Sequence, residues 1–204
     1  MHDKPGSGPW WDQRYREGRD GWELGEPAPP LRRFLEVDPR APQPPGRVLV
    51  PGCGRGHEVA MLASRGFTAI GLDISAEALR EARRCHGDDS DRLQWLQADL
   101  LDPAAYLAGG LGPGSCSGVL EHTCFCAIDP ASRPAYLSAV TQLLEPGGWL
   151  LGLFWCHDRP DGPPYGSEPD QLAADLAAAG LEPVLWQPAE GSAQGRDGRV
   201  RCDE

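Results

Sequence analysis

Three glycines and an aspartate have the types and the spacing of a nucleoside-binding site. Gly52, Gly54 and Gly56 follow the apolar run 48–50, and Asp73 closes the next apolar run. Glycine allows a positive φ and lets a ligand approach the backbone closely. An acid at the tip of the second strand, about 20 residues beyond such a turn, can accept hydrogen bonds from ribose hydroxyls. This stretch therefore predicts a βαβ unit that holds a nucleoside; the alternative interpretation of the glycines alone is that they only make a tight turn.

The glycine turn lacks the spacing that fits a diphosphate. It reads GxGxG instead of GxGxxG, and Glu58 falls in the first turn of the following helix, where it would face a phosphate group. A nicotinamide-dependent oxidoreductase on a similar sheet would need the missing fingerprint. A cofactor with a zwitterionic amino-acid tail and no phosphate suits the turn better, and S-adenosylmethionine is the common cofactor of that kind.

Charge and cysteine content exclude several classes of partner. The 204-residue chain carries a formal net charge of −11, which opposes binding to phosphate backbones and anionic membranes, so neither nucleic acid nor a membrane is an expected partner. We expect a cytoplasmic protein, because the chain has no long apolar run and no signal-like N-terminus. The seven cysteines have no zinc-like spacing, so we predict reduced thiols and no metal site.

The elements that must position these residues alternate between helix and strand. That alternation predicts an α/β fold, a doubly wound and mostly parallel seven-stranded sheet with helices on both faces. We expect one domain over 1–204, with an N-terminal helical lid and linker at 1–45 and the sheet core at 46–204. The predicted strands are 48–50, 68–72, 93–97, 116–120, 149–156, 181–186 and 199–202. The predicted helices are 9–18, 29–37, 57–65, 75–84, 129–144 and 172–179, with a short further helix within 103–115.

Ligands of such sheets bind beyond the carboxyl ends of the strands. We therefore expect five parts of the chain to converge at that edge: 51–56, Asp73, Asp99, 121–125 and 156–165.

Several motifs resemble a known enzyme family. The glycine turn with Asp73 and the turn LLEPGGWLL resemble class I S-adenosylmethionine-dependent methyltransferases. Within these, WDQRYREGRDGWELGEPAP, VPGCGRGHEV, GLDIS, HTCFCAIDPASRPAY and GPPY are similar to the thiopurine S-methyltransferase superfamily, especially its thiol and halide methyltransferase branch. The resemblance covers about residues 9–201.

The resemblance implies S-adenosylmethionine as the cofactor and a set of residues around it. The implied cofactor-binding residues are Trp11, Tyr15, Trp22, Gly52, Asp73, Asp99, Leu100 and His122. The three aromatic residues would form a lid, because aromatic faces attract a sulfonium cation and exclude water. Ordinary packing of an N-terminal extension on the sheet is the alternative interpretation. A truncation that begins near Leu31 is predicted to fold and to lose cofactor affinity.

The expected activity is methyl transfer by in-line displacement to a small soft nucleophile, a thiol or hydrosulfide first and a halide second. Phe125, Trp155 and Tyr165 are candidates for the acceptor pocket, although each could equally be core. His122 is a candidate base, and a hydrogen-bonded histidine at a strand end is its alternative role. Thiopurines and selenium or tellurium oxyanions are alternative acceptors, and a noncatalytic adenosylmethionine-binding regulatory module is the alternative of a different class. We expect a monomer with a small-molecule acceptor.

Overall fold

The computed structural model describes residues 4–192 of the chain. Its first half contains α1 (Gly8–Arg16), α2 (Pro29–Val37), β1 (Arg47–Pro51), α3 (His57–Ser64), β2 (Thr68–Asp73), α4 (Ala76–His86) and β3 (Leu93–Gln97). The second half contains α5 (Pro103–Ala108), β4 (Cys116–His122), two 3₁₀ turns (Phe125–Ala127 and Pro130–Ser132), α6 (Arg133–Leu143), β5 (Leu144–Leu153) and α7 (Pro169–Ala178).

The sheet is parallel and has the order β3-β2-β1-β4-β5. The chain moves outward from β1 in one direction and then returns to pair β4 on the other side of β1. This reversal opens a crevice at the carboxyl ends of β1 and β4, which is where ligands of such folds bind. The doubly wound α/β class expected from the alternation is confirmed.

Both faces of the sheet are covered by apolar clusters. Val48 and Val50 of β1 join one cluster with residues of α2, α3 and α4, while Leu49 joins a second cluster with residues of α6 and α7. Side chains alternate between the faces of a strand, so an uninterrupted apolar run is the pattern of a strand buried on both sides.

The N-terminal region divides into two parts. Helix α2 belongs to the core, because its Leu31 and Leu35 are 3% and 1% exposed. Helix α1 instead packs against α4, where Asp12 Oδ1 accepts hydrogen bonds from Ser75 Oγ at 2.6 Å and from the Glu77 N–H at 3.1 Å. Helix α1 and the loop that follows it, residues 8–24, therefore form a separate part of the N-terminal region, which we call the cover.

The described residues contain five strands and not the predicted seven. The segment 181–186 is not a strand there; its Pro183 has no N–H to donate to a ladder, and Val184 and Trp186 are exposed. The predicted strand 199–202 lies outside the described residues.

Other boundaries also differ from the predicted ones: β5 ends at Leu153 and not at 156, and α7 begins at Pro169 and not at 172. Strand β5 begins at Leu144 because Leu144 already pairs with Cys116. The predicted helix 129–144 is divided into a 3₁₀ turn and α6, and Pro134 lies in the first turn of α6, where proline is tolerated. In the part of the chain that the structure describes, no helix is both long enough and apolar enough to cross a membrane.

Candidate cofactor and acceptor site

A cleft of about 1490 Å³ lies at the carboxyl edge of the sheet, between the N-terminal cover and the loops after β2 to β5. It brings together most of the residues singled out from the sequence. Those that line it are Trp11, Tyr15, Trp22, Gly52, Asp73, Asp99, Leu100, Trp155 and Tyr165. His122 and Phe125 lie elsewhere.

Asp73 is held rigidly at the end of β2. One carboxylate oxygen accepts the Gly54 N–H at 2.9 Å and the other accepts the Ser75 N–H at 2.8 Å. The pKa of Asp73 is raised to about 6. Burial is the main cause and the charge of Asp12 adds to it, while the Ser75 and Gly54 N–H groups favour the carboxylate and offset part of the rise. A buried acid at this edge, with lone pairs left over, fits a ribose hydroxyl pair.

The predicted aromatic lid residues pack on one another above the glycine turn. The Trp22 ring meets Trp11 and Tyr15 edge-on, with ring centroids 5.3 and 5.8 Å apart. A Cβ added to Gly54, which has a φ of 54°, would lie 2.9 Å from the Tyr15 hydroxyl oxygen. Tyr15 therefore touches the turn itself, and the absence of a side chain at residue 54 is what allows the contact.

Four charged side chains fasten the loop after α1 to the glycine turn. Arg55 Nη1 lies 2.6 Å from Asp20 and 3.2 Å from Glu23, and His57 Nε2 lies 2.8 Å from Glu23. Burial raises the pKa of Glu23, but hydrogen bonds from His57 and from the Gly25 N–H outweigh burial and lower that pKa to about 2. We call Asp20, Glu23, Arg55 and His57 the charge clamp.

Loss of Arg55 is expected to loosen the cover. Asp20 is only 3% exposed, so Arg55→Met removes a partner of a buried carboxylate and is expected to destabilise the protein by about 1–3 kcal/mol. Amide exchange in residues 8–24 should rise, and affinity for S-adenosylmethionine in calorimetry should fall by about tenfold, or 1.4 kcal/mol. Arg32→Met, which breaks an exposed pair with Glu26, is the control and should change neither. Unchanged exchange in the Arg55 variant would rule out a clamp.

His122 lies in a small separate hollow. Its Nδ1 is 3.0 Å from Glu58 Oε1, and the same oxygen accepts the Ala28 N–H at 2.9 Å. The hollow shares Trp22, Gly52 and Thr123 with the main cleft. Glu58 thus points away from the cleft and toward His122.

Phe125 was expected in the acceptor pocket and lies in the core. It is 2% exposed, and its ring contacts Tyr136 and Phe154 at centroid distances of 5.6 and 5.5 Å. The 3₁₀ turn after β4 directs it inward, and Glu121 fixes that turn by accepting the Phe125 N–H at 2.8 Å.

Trp155 and Tyr165 do line the cleft, on the loop after β5. Arg133 holds this loop in place by donating to the Tyr165 and Gly166 carbonyl oxygens, both at 3.0 Å. The Tyr165 N–H also donates to the Cys126 carbonyl at 2.7 Å. These contacts attach the side of the cleft that carries Tyr165 to α6 and to the turn after β4.

Sequence reasoning placed Arg55, Thr123 and Cys124 at this edge only as members of 51–56 and 121–125, and it did not single out Asp20. Thr123 has a φ of 66°, which is strained for a β-branched residue and places Cys124 beside Gly52. Asp20 and Arg55 are charged residues inside motifs that were recognised for their aromatic residues and glycines. Their place inside these motifs was the only sign in the sequence that they belong to the site. The sequence did not show that they form an ion pair with each other.

Comparison with known proteins agrees with this geometry. A family model described as thiopurine S-methyltransferase matches residues 8–182. A probable thiol methyltransferase 2 of Arabidopsis thaliana is 29% identical over 85% of this chain and 74% of its own length. Thiocyanate methyltransferase 1 of Brassica oleracea is 31% identical over 76% of this chain and 66% of its own length.

Among solved structures, a Burkholderia thailandensis 1,6-didemethyltoxoflavin-N1-methyltransferase with bound S-adenosylhomocysteine is similar, with a TM-score of 0.68. It is 22% identical and the match covers 93% of this chain and 81% of that one, so it supports the fold. The glycine turn, the buried Asp73 and the aromatic cover suit the zwitterionic, phosphate-free cofactor S-adenosylmethionine. The chain belongs to the thiopurine S-methyltransferase family and is an S-adenosylmethionine-dependent methyltransferase.

Proposed function

We propose that this protein methylates the sulfur of a small thiol or hydrosulfide, with halide as a secondary acceptor. The observation that carries the proposal is the cleft itself, which Asp73, the candidate ribose partner, lines together with Trp155, Tyr165 and the aromatic residues of the cover. The thiol and thiocyanate methyltransferases that resemble this chain support a sulfur acceptor.

The chain's residues would act mainly by binding, orientation and exclusion of water. S-Adenosylmethionine supplies an activated methyl group on a sulfonium. A thiolate that meets this cation loses charge toward the transition state, so a water-poor aromatic enclosure favours the reaction. Alignment of the two reactants can contribute on the order of 7–11 kcal/mol, as in well-oriented intramolecular reactions.

The experiment that tests the proposal is a product assay with purified protein, S-adenosylmethionine and single acceptors. Methylated products of an alkyl thiol, hydrosulfide and iodide are measured by headspace gas chromatography. We expect thiol or hydrosulfide turnover to exceed iodide turnover. Efficient methylation of an amine or a hydroxyl, with no product from any sulfur acceptor or halide, would refute the proposal.

Two alternatives are tested by adding further acceptors to the product assay, with liquid chromatography for methylated products that are not volatile. Thiopurines or selenium and tellurium oxyanions as preferred acceptors would redefine the substrate and retain the reaction. Binding of S-adenosylmethionine, with no methylated product from any acceptor tested, would favour a noncatalytic regulatory module.

Asp73 is expected to make cofactor binding sensitive to acid. Its carboxylate would accept ribose hydroxyls, and its pKa in the free protein is about 6, so the required charged form is lost as the pH falls through that value. The affinity for S-adenosylmethionine, measured by calorimetry between pH 5 and 8, should be level above about pH 6.5 and weaken by up to tenfold per unit below it. Asp73→Asn should bind S-adenosylmethionine about 10- to 100-fold more weakly at neutral pH, and its affinity should no longer fall below about pH 6.5. If the variant keeps the pH dependence of the wild type, a group other than Asp73 causes it.

A further inference from the structure

We infer that His122 accepts the proton of a thiol acceptor and that Glu58 is the positioning residue that prepares it to do so. This inference rests on the proposed function and adds to it a route for the proton. His122 was considered as a base from its place in the sequence, but nothing in the sequence connected it to Glu58, which lies 64 positions away.

The contact is well defined and nearly dry. The two side chains are 9% and 10% exposed, and Glu58 Oε1 lies 3.0 Å from His122 Nδ1. The Ala28 N–H donates to the same oxygen, so Glu58 is fixed by a backbone group at the start of α2 and is not free to rotate away from the imidazole.

Glu58 acts as a carboxylate in this arrangement. Burial raises its pKa, but the nearby His122 and the hydrogen bonds from His122 and Ala28 outweigh burial, so that the net pKa lies below the ordinary value for glutamate. An ionised carboxylate only accepts hydrogen bonds. The proton of a neutral imidazole must then be on Nδ1, and the unprotonated nitrogen is Nε2.

Glu58 also favours the product of proton transfer. A second proton on Nε2 makes His122 a cation, and the adjacent carboxylate stabilises that cation. The same logic applies wherever an acid orients a histidine base and stabilises its imidazolium. Other charges near the pair are Glu121 beside His122 on β4, and His57 and Glu23 of the charge clamp.

The location suits transfer from an acceptor in the cleft. His122 closes β4, and the hollow that it lines shares Gly52 and Thr123 with the main cleft. In the inferred step the S–H bond breaks and its proton forms an N–H bond on Nε2. The thiolate sulfur bonds to the methyl carbon, and the electron pair of the broken sulfonium bond stays on the sulfur of S-adenosylhomocysteine.

The test compares two thiols in the full-length protein at neutral pH. An aryl thiol is already ionised and needs no base, whereas an alkyl thiol near the reference pKa of about 8.5 is mostly protonated. Glu58→Gln can keep one amide oxygen for both the Ala28 N–H and His122 Nδ1, but it removes the negative charge that stabilises the imidazolium. We expect the ratio of alkyl-thiol to aryl-thiol kcat to fall by about 10²-fold in this variant and in His122→Gln, the usual size of a general-base effect.

A spectroscopic readout and a matched control separate this role from a structural one. ¹⁵N chemical shifts of His122 should report the Nδ1–H form of the neutral ring in the wild type and a smaller imidazolium population in Glu58→Gln. Glu121→Gln makes the same change in another buried carboxylate, which accepts the Phe125 N–H and the Tyr136 hydroxyl. It should lower the thiol ratio much less than Glu58→Gln, because the Glu121 carboxylate is bound to the Phe125 N–H and the Tyr136 hydroxyl.

Each remaining outcome counts against the inference. An equal loss with both thiols, or a loss that appears only as weaker S-adenosylmethionine binding, would make His122 and Glu58 parts of the cofactor site. If the wild type methylates both thiols and the ratio does not change, the inference alone is wrong. If the wild type methylates neither thiol, the inference is wrong, and if it also methylates neither hydrosulfide nor iodide, the proposed function is wrong as well.

Discussion

Deletion of residues 1–24 is expected to weaken S-adenosylmethionine binding by at least about 100-fold and to reduce turnover below detection. The deletion removes α1, all three cover aromatics and both acids of the charge clamp. If the cover hides roughly 100–150 Å² of the apolar surface of the ligand, its loss removes about 3 kcal/mol of binding free energy.

The structure indicates that the truncated protein should begin at Gly25 and not at Leu31, the first residue expected from the sequence. A chain that starts at Leu31 would lack Ala28, which is 1% exposed and donates its N–H to Glu58. The shorter deletion keeps this bond and α2, so we expect a cooperative thermal unfolding transition. Binding is measured by calorimetry and turnover by the headspace assay. Full turnover in the folded truncated protein would show that the N-terminal region is not a lid.

Gly52→Ala is the second large effect that we expect. Gly52 has a φ of 56°, and an added Cβ would lie 2.8 Å from Cys124 Cβ and 2.9 Å from Cys124 Sγ. The left-handed conformation costs an alanine about 1–2 kcal/mol, and the overlap adds about 1–3 kcal/mol. We expect a loss of about 2–5 kcal/mol in the free energy of unfolding, together with loss of cofactor binding as the turn shifts.

Two further variants separate strain from overlap. Gly114→Ala has a similar φ of 66°, and its nearest neighbour would be the Glu145 Cα at 3.8 Å, so only the conformational part of about 1–2 kcal/mol should appear. Combining Gly52→Ala with Cys124→Gly removes the overlapping atoms and should recover part of the lost stability. Denaturant unfolding measures all three. Equal losses for Gly52→Ala and Gly114→Ala, with no recovery in the double variant, would contradict this account.

The sequence by itself determined the class of fold and the edge of the cleft formed by the glycine turn and Asp73. The apolar run 48–50, the glycine turn and Asp73 lie close together along the chain, and their backbone requirements are local. Serine is a residue type favoured at helix N-caps, and the Oγ of Ser75, which precedes α4, accepts the Ala78 N–H at 3.1 Å. The spacing of apolar residues and the capping of helices depend on residues that are close in the chain, so both can be recognised without a structure.

Only the tertiary structure decided which of the remaining residues act together. Asp12 meets Ser75 across 63 positions, Glu58 meets His122 across 64, and Arg133 reaches Gly166 across 33. Phe125 looked like a pocket residue because it follows a strand end, but a 3₁₀ turn fixed by Glu121 buried it. Segment 181–186 has the composition of a strand and lies outside the sheet. A side chain's direction and partner depend on the packing of distant elements, and no local pattern in the sequence encodes that packing.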